Sequence, residues 1–188
     1  MPPFSLPRGI NYLPNTSRKA SFVSVRPVTE REIRASFVNC TKGEARRLAV
    51  PRDLAARPWD DLDFLGWRDP AAPDRAYLVT ESGDGFVGVA LRRAATHAGR
   101  VRRSMCSLCL TTHTGDGVSL MTARKAGKAG QLGNSVGAYI CTDLACSLYL
   151  RGKKDAGLGG RFHESLTVAE KVERTMANLT GFLDRVAG

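Results

Sequence analysis

Between residues 29 and 49 the apolar positions recur at helical spacing. Ile33, Phe37 and Cys40 share one face of "TEREIRASFVNC", and Thr29 followed three residues on by Glu32 is a capping box, the pattern that opens a helix. The same signal returns in "TKGEARRLAV": Thr41 and Glu44 form a second box, Leu48 supplies apolar surface and Pro51 stops the chain. Two short helices joined at residues 39–41 are predicted, as a helical preface over residues 28–50.

Beyond "WDDLDFLGWRDP" the pattern shortens towards strands. "AYLVT" and "FVGVALRR", separated by "ESGDG", predict a hairpin of an antiparallel sheet, and "VSLMTAR" and "SVGAYI" predict a second across the Gly/Lys-rich "KAGKAGQLGN". Trp59, Phe64, Trp67, Tyr77 and Phe86 are expected in the core or on a sheet face. Helical spacing resumes at the end of the chain. A third box, Thr167 with Glu170, precedes Val172, Met176, Leu179, Leu183 and Val186, which with Leu166 and Ala169 recur at steps of three and four. The fold class is therefore α+β: short N-terminal helices, an antiparallel sheet and a long C-terminal helix, with the main domain over residues 51–188. Residues 1–27, rich in proline and carrying only basic charge, predict a disordered tail.

No stretch approaches the roughly 18 apolar residues of a membrane span, and the opening residues lack the apolar core of a signal peptide, so a cytoplasmic location is expected. In a reducing compartment, paired cysteines more often hold a metal or do redox work than form structural disulfides. Four of the five cysteines form two close pairs, Cys106-x2-Cys109 and Cys141-x4-Cys146. A knuckle of the first kind presents two sulfurs to one tetrahedral ion. The second pair meets the first if Cys141 ends a strand and Cys146 lies in the first turn of a helix over about 143–150. Knuckle, hairpin and helix make a treble-clef zinc finger over residues 104–150. Four thiolates leave no open position, which marks one structural Zn2+ rather than a catalytic one. A redox dithiol needs only one pair, at a helix start. His113 is a conceivable replacement ligand, His97 and His163 read as surface or packed residues, and Cys40 as a small apolar core residue.

The net charge of +10 is unevenly placed: residues 92–161 hold twelve basic and three acidic side chains, a local +9. That field suits an anionic partner. Neither a Gly-x-x-x-x-Gly-Lys loop nor a His-Glu-x-x-His run is present, and Asp60, Asp61 and Asp63 read as helix caps or solvated residues. A binding protein without a small-molecule substrate is expected, not an enzyme.

"FLGWRDP", "AYLV" and "DGFVGVALR", followed by the Cys-x2-Cys and Cys-x4-Cys module, resemble the elongation factor G-binding family, which includes the FusB-type fusidic acid resistance proteins. The resemblance covers about residues 29–187. It implies an α/β domain built round a treble-clef finger that docks on elongation factor G and promotes its release from the ribosome, with Cys106, Cys109, Cys141 and Cys146 as zinc ligands. Charge and position add Lys125, Lys128, Tyr149, Arg151, Lys153 and Lys154 as candidate partner contacts. The alternative is a basic zinc protein that binds ribosomal RNA, with "RRAATHAGRVRR" and "RGKKDAG" on phosphates.

Overall fold

All three predicted capping boxes form in the computed structural model, which describes residues 24–83, 85–94, 103–157 and 164–188. Thr29 opens α1 (Glu30–Ser36), Thr41 opens α2 (Lys42–Arg47) and Thr167 opens α5 (Val168–Ala187). In each box the threonine oxygen accepts from the third helical N–H, while the glutamate at that position accepts from the threonine N–H. Local chemistry fixed where these helices begin. Where α1 ends was less legible. Phe37 is already extended and bridges Gly88 of the sheet, so Cys40 lies beyond the helix and not on its face.

The strands are β1 (Leu65–Arg68), β2 (Arg75–Ser82), β3 (Gly85–Arg93), β4 (Arg103–Met105), β5 (Thr112–Thr114), β6 (Val118–Arg124) and β7 (Ser135–Cys141). Five of them make one antiparallel sheet in the order β1-β2-β3-β6-β7, and β4 and β5 form a separate ribbon. Both predicted hairpins are present. Two short helices complete the chain: α3 (Gly127–Gln131), inside a connection that reads as a loop in sequence, and α4 (Cys146–Leu150). α3 packs so closely that a Cβ on Gly130 would collide with the Lys125 carbonyl oxygen. Among the described residues, no helix is long and apolar enough to cross a membrane.

Strand periodicity divides the core in two. Along β2, Ala76 and Leu78 point to a cluster with Val89, Leu91, the four paired cysteines and α5, while Tyr77 and Val79 point to a second cluster with Ile33, Ala45, Leu48, Leu65 and Trp67. The sheet is thus covered on both faces, and the helical preface is the cover of one of them. Residues 24–27, placed in the disordered tail by composition, belong to this cover. Val25 is buried and its N–H donates to the Leu62 carbonyl at 2.6 Å, and the Arg26 guanidinium lies 4.2 Å over the Phe86 ring. Residues 1–23 lie outside the described part. On the opposite face, α5 buries Val172, Thr175, Leu179, Phe182 and Val186, with Ala169 exposed. Its inward stripe is rotated towards Phe182 relative to the sequence pattern.

Between β3 and β6 the ladder is short, pairing Arg92 with Thr122 and Arg93 with Met121. In the same register Ala90 would face Arg124, but the side chain of Asn39 stands there instead. Its Oδ1 accepts from the Ala90 N–H at 2.8 Å, and its Nδ2 donates to the Ala90 and Arg124 carbonyls at 2.9 and 3.0 Å. A carboxamide reproduces the donor and acceptor of a peptide, so one buried side chain from the α1–α2 link satisfies backbone groups that the missing ladder would have paired.

Candidate metal centre

Two tight turns carry the four thiols. In the first, the Cys106 N–H donates to the Thr111 carbonyl and the Leu110 N–H donates back to the Cys106 carbonyl, both at 3.0 Å, closing the knuckle between β4 and β5. Leu110 takes a left-handed conformation there, with φ of 57°. In the second, Cys141 is the last residue of β7 and Cys146 the first of α4. Leu144 between them is again left-handed, with φ of 59°, and its N–H donates to the Cys141 carbonyl at 2.8 Å. Left-handed leucines are strained, and such strain persists only where the surroundings over-determine it. Leu144 also leans on β1 at Gly66, where a Cβ would come within 2.5 Å of its own Cβ, so only glycine fits.

The turns bring all four sulfurs within 4.8 Å of one another, and all four cysteines are buried. Cys106 and Cys146 Sγ are 3.8 Å apart and Cys109 and Cys141 Sγ 3.5 Å. Sulfurs bound to zinc at about 2.3 Å lie about 3.8 Å apart along a tetrahedral edge, so the donor set fits the ion. Hydrogen bonds from the other thiols, that of Cys109 first, hold Cys106 well below its usual pKa, and the Cys106 thiolate in turn pushes Cys141 and Cys146 up. A divalent cation removes this conflict and lets all four ionise. The site is closed, and the ion's contribution there is to hold two segments 32 or more positions apart in one place.

Around the thiols is a shell that the sequence did not announce. The His113 ring is buried, with Nε2 3.4 Å from Cys141 Sγ and its centroid 4.6 Å from the Tyr149 ring, edge to face. Burial lowers the His113 pKa, which keeps the ring neutral and able to donate one N–H towards sulfur. It supports a ligand; it does not replace one. His97 and His163 lie outside the described residues. The Tyr149 hydroxyl donates to Asp143 Oδ2 at 2.8 Å and Lys154 Nζ donates to the same oxygen at 2.7 Å. Burial works to raise the Asp143 carboxyl, but the Lys154, Ala145 and Tyr149 hydrogen bonds together hold it below its ordinary value.

The six candidate partner contacts do not form one exposed cationic surface. Only the Arg151 backbone reaches solvent to any extent: its guanidinium is covered, the two terminal nitrogens donating at 2.7 Å, one to each oxygen of the fully buried Asp63. Asp63 is therefore neither a helix cap nor solvated. Its N–H also donates to Ser147 Oγ at 3.0 Å, so it pins α4 at the edge of the sheet. Lys153 pairs with Asp61 at 2.6 Å and Lys154 with Asp143, which offsets the charge that the sequence had left unbalanced. Tyr149 is half-buried against His113. Lys125 and the exposed Lys128 lie at the other end of the β6–β7 hairpin, since Val118 pairs with Cys141 but Arg124 with Ser135, six strand steps or about 20 Å away. Most of "RRAATHAGRVRR" falls at residues 95–102, outside the described part. Cys40 is half-buried, with burial pushing its thiol up to about 11, which leaves it an unreactive protonated side chain.

A solved structure of the fusidic acid resistance protein FusC is similar to this chain at 17% identity and a TM-score of 0.49, over 77% of this chain and 54% of that one. The chain thus spans about half the length of that protein. No curated protein matches it. The model of the FBP C-terminal treble-clef zinc-finger family matches residues 32–186, which include both sheet hairpins, all four clustered thiols and nearly all of α5. With its knuckle, hairpin and helix meeting at four buried sulfurs, the chain belongs to that family and binds one structural zinc ion.

Proposed function

We propose that this protein is a non-enzymatic, zinc-dependent partner of elongation factor G, and that its docking promotes release of the factor from the ribosome. The reading is carried by the family match over residues 32–186, centred on a closed four-thiolate site, taken with the resemblance of its motifs to the elongation factor G-binding proteins. A metal with no open position shapes a surface; it does not perform chemistry. The surface it shapes includes Met105 and Tyr139, two of the large hydrophobic side chains left exposed, which lie next to the knuckle because the Ser107 N–H donates to the Tyr139 carbonyl at 2.6 Å. The half-exposed Lys153 and Lys154 lie beside α4. Apolar anchors with charged neighbours suit a protein partner better than single-stranded RNA, which asks for several stacking aromatics.

The test is capture of purified elongation factor G by the zinc-loaded protein, with ribosomal RNA as competitor over a salt series. Binding of the factor that Tyr139→Ala weakens, and that zinc chelation abolishes, is the expected result. Retention of RNA alone, with affinity falling steeply as salt rises, would instead establish the RNA-binding alternative.

A further inference from the structure

Where the ladder between β3 and β6 ends at Asn39, the sheet face under the preface opens into a cleft of about 580 Å³ that the zinc site does not use. Its lining carries four guanidinium groups, Arg47, Arg75, Arg92 and Arg124, against one carboxylate, Glu44. Two features of this set call for an anion. Arg75 and Arg92 are direct cross-strand partners on β2 and β3, so their like charges rise from the same face of the sheet, an arrangement that destabilises a bare sheet. Their neutralisation is also incomplete. Arg92 meets Asp74 at 3.4 Å and Arg124 meets Glu44 at 3.3 Å, both longer than the 2.7–2.9 Å of a strong charge-assisted bond, and neither Arg47 nor Arg75 has an ion pair among the described residues.

The volume falls in the range of small-ligand sites. Tyr77, the aromatic side chain of the lining, is packed against Phe37 and Trp67, and so gives no platform on which RNA bases could stack. Guanidinium forks match the paired oxygens of phosphate groups, and four arginines spread along one cleft match a chain of phosphates better than a single one. We propose that this cleft binds a phosphate-chain anion, either free polyphosphate or the polyphosphate moiety of a nucleotide. The anion bridges β2, β3, β6 and α2 and relieves the repulsion between Arg75 and Arg92. This site is independent of the partner reading above, since it lies on the sheet face opposite the zinc.

Calorimetry on the full zinc-loaded chain, with sodium tripolyphosphate and ATP at matched ionic strength, tests it. Saturable binding of one tripolyphosphate per chain is expected, together with a raised melting temperature. The double variant Arg75→Gln/Arg92→Gln should lose about tenfold or more in affinity, because charged hydrogen bonds are removed, while its zinc content is unchanged. Arg31→Gln, an exposed arginine on α1, should bind as the parent does. Tighter binding of ATP assigns the site to a nucleotide, and equal or weaker binding assigns it to a free phosphate chain. If circular dichroism shows the double variant unfolded, Arg47→Gln carries the test with a loss of about threefold. The proposal is overturned if neither tripolyphosphate nor ATP saturates the protein, if Arg31→Gln weakens binding as much as the cleft variants, or if an RNA oligonucleotide binds more tightly through the same arginines.

Discussion

The two faces of the central sheet are covered by different means. One face meets the preface, whose helices are too short to be stable alone and are held by capping boxes, burial of Ile33, Ala45 and Leu48, and the Asn39 carboxamide. The other meets the zinc module and α5. There the β4–β5 ribbon and α4, at three and five residues, are shorter still, and they are tied by metal ligands and a buried ion pair. The contrast shows what each cross-link is suited to. A carboxamide can replace a few ladder bonds within one sheet, whereas four thiolates on one cation can order segments with almost no core of their own.

Zinc removal has the largest expected effect on this contrast. Chelation, or Cys146→Ser, should abolish hydrogen-exchange protection in residues 104–114 and 141–150, while α1 and α2 keep theirs, since metal binding in such sites contributes on the order of 10 kcal/mol to local folding. Protection lost equally on both faces would mean that the covers are not separate. Next is Asp63→Ala. It leaves the buried Arg151 charge unpaired and should cost about 3–5 kcal/mol in urea unfolding, with zinc still bound. Stability within error of the parent would leave α4 dependent on zinc alone. Asn39→Ala orphans the Ala90 N–H and two carbonyls; a loss of about 1–3 kcal/mol is expected, with zinc content unaltered.

The smallest effect is a pH dependence confined to the preface. The Thr29 backbone N–H and hydroxyl, with Arg26, lower the Glu32 pKa from 4.5 to about 2. A depressed carboxylate pKa stabilises the fold fully above the unfolded value, and that contribution is lost as pH falls from about 4.5 to about 2. Glu32→Gln should therefore flatten this part of the acid limb of stability, followed by α1 helicity. An unchanged acid limb would show that the box does not hold α1 in place.

What the sequence determined by itself was whatever depends on neighbours within a few residues. Threonine and glutamate three apart fixed three helix starts, alternation and turn residues fixed both hairpins, and the spacing of Cys106, Cys109, Cys141 and Cys146 named the metal site, because a turn and a helix start aim their sulfurs locally. Tertiary structure decided which charges stay free. Arg151 and Asp63 are 88 positions apart, Lys153 and Asp61 92, and no local pattern joins the basic run after α4 to the acidic run before β1. The same holds for Asn39, which is an ordinary linker residue until β3 and β6 part beside it. Charge read along the chain counts groups one by one, whereas the field at a surface is what remains after folding has paired them, and that remainder lies partly in the arginines beside Asn39.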